Sequence, residues 1–299
     1  DTTEDSIDEF DASSLKDEET SALRKALNAD NNQTRIRAAK ICSSQAEEDV
    51  DNIVPLIPAI VDRLNDERVV VLRESTSALA FIAESQPDLL ERSVGPLVDL
   101  LVHTVPMVRA AAAKVIRLLA IERPEWFVPH VEGLLDAIGE GIVDPTEETE
   151  RRSLERPHLP EANRSINTIE MQRQVATISI AANVLVEISD TNADALEAYV
   201  PRIVASLDHD VDAVVAASAD ILASISQENS DVVSLALEPL CSLLNSQNGM
   251  IRARVVRALG IFGDENAIEP LRRVATDEGA SQELRDLAID TILWLEQPS

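Results

Sequence analysis

Aromatic side chains make up 2% of this 299-residue chain, glycine occurs eight times and cysteine twice. With 45% hydrophobic residues but so few aromatics, a core must be built from Ala, Val, Leu and Ile, which suits closely stacked helices. Eight glycines would scarcely build a phosphate-cradling loop, and no P-loop is present. Cys42 and Cys241 lie about 200 residues apart without a CxxC pattern, so both read as small buried hydrophobes rather than a disulfide or a metal pair. The four histidines (His103, His130, His158, His209) are scattered, none at i, i+4 from another, which argues against a metal or catalytic constellation. No apolar run approaches the roughly 20 residues of a membrane span, and the first residues, DTTEDSIDEF, have neither the basic nor the apolar region of a signal peptide. A cytoplasmic protein with no metal, no cofactor and no membrane partner is expected, and the oligomeric state is left open.

Lysine is the scarcest charge: only Lys16, Lys25, Lys40 and Lys114. Against 26 bases stand 54 acids, a net charge of −28. No helix carries a basic stripe, so a nucleic-acid partner is not expected. Acid spread along the whole chain with lysine depleted resembles proteins of extreme halophiles, where salt screens self-repulsion. An acidic surface for a basic partner is the rival reading. The lysine depletion favours halophily, because it has no obvious use in binding.

What is abundant is repetition. A proline recurs in the first helix of each of a series of helical hairpins, at Pro58, Pro96, Pro129, Pro201, Pro239 and Pro270. Placed inside a helix, it would bend it. The second helices open on Arg35, Arg73, Arg109, Arg252 and Arg285, each followed by an Ala/Val/Leu-rich run. Counting back by a repeat from Arg252 reaches Val215 and Ile178, which are followed by the same kind of run without the arginine. Seven hairpins are counted, the first with Ser21 in the proline position. Pairs this small cannot bury both faces alone, so neighbours must stack.

The pattern resembles the HEAT-repeat family, closest to its short form named after phycobilisome lyases, over about residues 18 to 296. The resemblance implies an all-α solenoid with first helices on the convex face and second helices on the concave face. It also implies that the five arginines ladder to acids or carbonyls of adjacent hairpins. Di-iron hydroxylases built on HEAT repeats use His-Glu dipeptides as ligands, and this chain has none. The HEAT-like DNA glycosylases need a basic channel, which is missing here. A non-enzymatic scaffold binding another protein is the expected function. A signalling adaptor of the taxis type is an alternative, and a lyase-like enzyme or chromophore chaperone is another, on fold analogy alone.

Residues 1 to 14 read as an acidic, disordered tail before a single solenoid from 15 to 299. Ser14 and Asp17 read as a capping box for the first helix. Trp126 and Phe127 are the one adjacent aromatic pair, read as core filling or a local staple; Trp294 reads as cover for the open end. The period breaks once: Arg109 to Ile178 is 69 residues where about 37 fit the repeat. The excess reads as an irregular insertion at about 140–167, ended by an Asn167-x-x-Glu170 capping box. Around it the sign of the charge reverses, with Arg151, Arg152, Arg156, Arg164 and Arg173 against three acids between residues 151 and 173. Guanidinium groups suit forked contacts to carboxylates, so these arginines form a candidate partner-binding site, with a merely tolerated loop as the equal alternative. If the acid excess reflects halophily, the melting temperature rises steeply between about 0.1 and about 2 M KCl as screening shortens the reach of the charges. A flat profile would defeat that reading.

Overall fold

The computed structural model describes residues 17–139 and 160–297, with the backbone alone at 17 and at 160–168. The chain divides into two compact units, Asp1–Gly133 with Glu140–Thr177, and Leu134–Gly139 with Ile178–Ser299. Helices α1 (Asp17–Leu27), α2 (Asn32–Glu48), α3 (Ile57–Asp62), α4 (Val69–Ser85), α5 (Val94–Asp99) and α6 (Pro106–Glu122) belong to the first unit. Two helices, α7 (Val131–Gly139) and α8 (Pro160–Asn192), contribute residues to each unit. The second unit continues with α9 (Asp194–Glu197), α10 (Val200–Ala205), α11 (Asp212–Glu228), α12 (Asp231–Leu243), α13 (Gly249–Phe262), α14 (Ile268–Ala275) and α15 (Gln282–Leu295). No strand occurs among the described residues, and the fold is the expected all-α stack of hairpins.

The second helices form the spine. In the first unit α2 packs on α4 and α4 on α6; in the second, α11 packs on α13 and α13 on α15. Small and branched side chains make that contact: Ala38, Ala39 and Cys42 on α2, Ala78 and Leu79 on α4, Ala112 and Ile116 on α6 are fully buried. Removing such apolar surface from water supplies the driving force, and small residues let the backbones approach. Gly260 on α13 shows how close they come, since a Cβ there would stand 3.0 Å from Thr291 Cγ2 on α15. Gly263 ends α13 in the left-handed conformation (φ 70°), its N–H donating to the Leu259 carbonyl at 3.3 Å.

Most of the prolines do not bend a continuous helix. Pro58 and Pro201 are the second residues of α3 and α10, Pro96 and Pro270 the third residues of α5 and α14, and Pro129 lies in a 3₁₀ stretch, Pro124–His130, just ahead of α7. Pro239, inside α12, is the one that matches the expectation of a helix-interior proline. The physical reason is that the first turn of an α-helix has N–H groups without intrahelical partners, so a residue lacking one costs nothing there. The first helices α3, α5, α7 and α14 therefore change from 3₁₀ to α near their proline. A similar correction applies at α8. It begins at Pro160, so Asn167 and Glu170 lie within it and do not form its cap, and residues 160–167 of the expected irregular insertion are helical.

The entries to α4, α6, α11 and α13 repeat one device. A side chain two residues before the cap accepts the cap residue's N–H: Asp66 from Arg68 at 3.0 Å, His103 and His209 through Nδ1 from Val105 and Val211 at 3.0 Å, and Ser246 from Asn248 at 3.1 Å. Caps at Asn31, Arg68 and Val105 are 37 residues apart, as are Val211 and Asn248. In that register the ladder position is four residues past the cap: Arg35, Leu72, Arg109, Val215, Arg252 and Arg285. Arg73 is one residue out of register; it is exposed and pairs with Glu74 on its own helix at 2.5 Å.

The in-register arginines tie the turns together. Arg35 is buried and its Nη1 donates to the carbonyls of Ala29 and Asp30, each at 3.0 Å, while Nε reaches Asp66 in the next hairpin at 2.6 Å. Arg109, 1% exposed, donates from Nη1 to the His103 and Thr104 carbonyls at 2.6 and 3.4 Å. Arg252 reaches Asp277 of the following turn at 2.7 Å, and Arg285 donates to Gln282 at 2.8 Å, as Arg35 does to Asn32. Where the ladder residue is apolar, the following turn carries no carboxylate at the pairing position: Leu72 is followed by His103 and Val215 by Ser246. A carboxylate appears only opposite a guanidinium, because a buried charge without a partner is costly. Arg35→Ala removes the closest partner of the Asp66 carboxylate, 1% exposed, leaving it Arg63 at 3.7 Å and the Arg68 N–H, and is expected to cost about 2–3 kcal/mol in chemical denaturation. Arg35→Leu combined with Asp66→His copies the next junction and is expected to recover more than half of that loss. A double variant no more stable than Arg35→Ala would contradict this pairing rule.

Candidate binding faces of the second helices

Counted from the caps, positions near 2, 6, 9, 13 and 16 of the second helices lie on one face, as a period of 3.6 requires, exposed or half-buried except at Ala217 and Ser224 of α11, which are buried. In the second unit the ninth positions are Asp220, Arg257 and Asp290, and the thirteenth are Ser224, Ile261 and Trp294. Arg254 of α13 forms an ion pair with Asp220 of α11, and Ser224 Oγ donates to Asp190 of α8 at 2.9 Å. Burial pushes the Asp220 carboxyl above its usual range, against the opposing charges of Arg254 and Arg257. Across α11, α13 and α15 runs an open groove of about 640 Å³, lined by Gln227, Arg257, Gly260, Ile261, Asp290, Thr291 and Trp294. Its floor is the close approach at Gly260. Its walls include two large apolar side chains left in solvent, Ile261 at 49% and Trp294 at 63% exposure. Trp294, expected to cover an end of the stack, is instead an exposed feature of this face. The apolar stripe of the sequence did not flag it, because it falls on the polar side of that stripe.

The first unit presents the same face on α2, α4 and α6. Arg37 and Lys40 on α2, Arg73 on α4, and Lys114 and Arg117 on α6 are exposed there. Lys114 Nζ lies 3.4 Å from Glu84 of α4.

The five arginines of the expected docking site are not brought together among the described residues. Arg151, Arg152 and Arg156 lie outside them, as do the acidic tail at 1–14 and the Ser14 cap. Arg164 and Arg173 are nine positions apart on α8, two and a half turns, so their register positions fall on opposite sides of that helix. Arg173 is half-buried, its carbonyl accepting from Thr177 at 2.9 Å.

The other polar candidates are engaged in structure. His103 and His209 hold turns; burial first, then the Arg109 charge, keep the His103 imidazole below its usual range, which suits an Nδ1 that accepts. His130 packs beside Gly95, where a Cβ would stand 3.0 Å from its ring. His158 lies outside the described residues. Burial pushes the Cys42 thiol up to about 12, and Cys42 and Cys241 are both free. Phe127 is fully buried, whereas Trp126 lies 6.0 Å from the Arg123 guanidinium. Among the described residues no three His, Cys, Asp or Glu side chains are grouped to hold a metal, and no helix is long and apolar enough to cross a membrane.

The stacked second helices, the first helices with proline in their opening turn and the arginines that tie the turns have a counterpart among known families. A model described as HEAT repeats matches residues 200–293. Residues 200–293 are similar to HEAT repeats. The chain is also similar to an engineered protein of known crystal structure, at 19% identity over 94% of this chain and 69% of that one, with a TM-score of 0.57; that likeness shows the fold alone. Computationally designed armadillo repeat proteins for modular peptide recognition are matched at 15% identity over 91% and 98% of the two chains, with a TM-score of 0.39. No curated protein matches. The groove lining falls within the matched segment except for Trp294, which is the next residue after it. Acrylamide is expected to quench the fluorescence of a Trp126→Phe variant, which retains Trp294, more steeply than that of Trp294→Phe. Equal quenching of the two would place Trp294 out of solvent.

Proposed function

We propose that this chain is a non-catalytic scaffold that holds another protein along the outward faces of its second helices. The groove across α11, α13 and α15 carries the reading: an exposed tryptophan and isoleucine over a tightly packed floor, rimmed by Gln227, Arg257 and Asp290. A large aromatic anchor inside a polar rim is the usual composition of a protein-binding hot spot. Side-by-side helices also offer a long surface for an extended or helical segment. The engagement of His103 and His209 in turns supports a role without catalysis. The short HEAT form named after phycobilisome lyases and an origin in an extreme halophile are finer parts of the proposal. The 37-residue cap spacing supports the first and the net charge of −28 the second.

The test is a pull-down at about 2 M KCl with the whole chain as bait, wild type beside Ile261→Ser/Trp294→Ala. A stoichiometric protein partner held by wild type and largely lost by the double variant, with the melting curve unchanged, is the expected result. Equal capture by both overturns the assignment to this face. Loss of the partner on replacing residues 142–165 by a short linker, while the double variant keeps it, moves the site to the insertion and its arginines. Recovery of a tetrapyrrole or another small molecule instead of a protein overturns the scaffold reading.

A further inference from the structure

In a chain with 54 acids and 26 bases, several surface bases are held by a carboxylate. Arg123 has Asp88 at 2.6 Å, Arg202 has Asp136 at 2.6 Å and Arg272 has Glu296 at 2.7 Å. Arg37, Lys40 and Arg117 are exposed with no side-chain hydrogen bond or ion pair among the described residues, as are Lys25, Arg68, Arg92, Arg257 and Arg273, but these three share one face. They lie on the outward face of the second helices in the first unit, with Lys114 and Arg73 beside them. The five stand at cap positions 5, 6, 9, 9 and 12, which at 100° per residue fall within an arc of about 120°. Four of the five acids on these helices, Glu47, Glu48, Glu84 and Glu122, are crowded into the last two residues of their helices, and Glu74 is the fifth. The first three turns of α2 and α6 are therefore basic on a strongly acidic protein, and α4 between them carries the neutral Arg73–Glu74 pair. Two of the chain's four lysines, Lys40 and Lys114, occupy the same position on α2 and α6 and flank Ser77 of α4. A halophile-type surface spends lysine sparingly, so two on one row indicate a use.

We propose that this face binds an acidic, extended segment of the partner protein. Resting on the reading that the second-helix faces bind protein, the proposal adds the chemistry of the ligand. Neighbouring helices lie about 8–10 Å apart, so Lys40 and Lys114 are separated by about 16–20 Å. A polyproline II segment advances about 3.1 Å per residue and turns once in three residues, so every third side chain faces the same way. Carboxylates at every third residue would meet successive helices, one near Arg37 and Lys40, one near Arg73 and Ser77, one near Lys114 and Arg117. Lys114 exchanges its Glu84 contact for the ligand's carboxylate. Nucleic acid fits worse, because a long polyanion would extend beyond a patch of about 20 Å into the field of a net −28 protein.

The probe is a fluorescein-labelled peptide of about twelve residues with Glu at every third position. It is compared with the same peptide carrying Gln, and with single-stranded dT of matching length. Anisotropy is measured on the whole chain at low and high KCl. Wild type is expected to bind the Glu peptide, to ignore the Gln peptide, and to lose affinity as salt rises. Arg37→Gln/Lys40→Gln/Arg117→Gln is expected to weaken binding about three- to tenfold at low salt, through the loss of three exposed contacts. Equal affinity in the triple variant, equal binding of the Gln peptide, or tighter binding of dT each overturns the proposal. Ile261→Ser/Trp294→Ala serves as the second variant and leaves these bases in place. If that variant loses the captured partner while the Glu peptide binds wild type and the triple variant alike, the scaffold reading stands and the acidic-segment proposal falls. If the Glu peptide behaves as expected while the partner is captured regardless of Trp294, the reverse holds.

Discussion

The turn that joins the two helices of a hairpin has carbonyls pointing back toward the stack, and something must donate to them. Arg35 and Arg109 do so in the same way, folding back one turn to the carbonyls five and six residues upstream. A guanidinium has donors to spare, so Arg35 also reaches forward to Asp66, and Arg252 to Asp277. In α2 and α6 this contact ties the second helix to the turn it leaves, and in α4 and α11 a buried Leu72 or Val215 holds the same position by packing. Burial lowers the pKa of Arg109, with Glu170 opposing the shift, and the cost of such a buried cation explains why the motif is used only where the turn can satisfy it.

The periodic parts of the fold were legible in the sequence because periodicity is a physical requirement of stacking. Apolar stripes, prolines and arginines recur at the repeat length since each hairpin must present the same face to its neighbour. The errors came where residue identity was used in place of register. Arg73 looks like Arg35 and Arg109 in sequence, yet Leu72 occupies their position, and one residue on a helix is a rotation of 100°. The prolines were read as kinks because a helix-interior proline is the simplest interpretation of a proline within a helical run. The alternative, a 3₁₀ turn giving way to an α-helix, has no separate signature in composition. Pro160 opening α8 is the same lesson: a proline counted as a breaker of helix is equally a starter.

The candidate binding faces were much less legible. Trp294 and Ile261 lie on the polar side of their helices, where sequence pattern carries no constraint, and nothing in either helix alone says that they meet across a groove. The basic patch on α2, α4 and α6 is spread over some 80 residues of sequence, one or two charges per helix. It becomes a patch only when three helices are laid side by side. By contrast the arginines of the insertion are dense in sequence, yet Arg164 and Arg173 take opposite sides of α8. Density along the chain and density in space are different quantities in a repeat protein.

The junctions between hairpins also behave as keyed connectors. A turn bearing Asp66 tolerates only a preceding hairpin that offers an arginine, and one bearing His103 follows a hairpin that offers leucine. Exchanging the two hairpins would set a carboxylate against Leu72 and a histidine against Arg35. The order of units in the stack is thereby written into pairs of side chains about 31 residues apart, and a duplication of one unit would be accepted only where both its keys fit. Within an otherwise uniform array of helices, each unit has a fixed address.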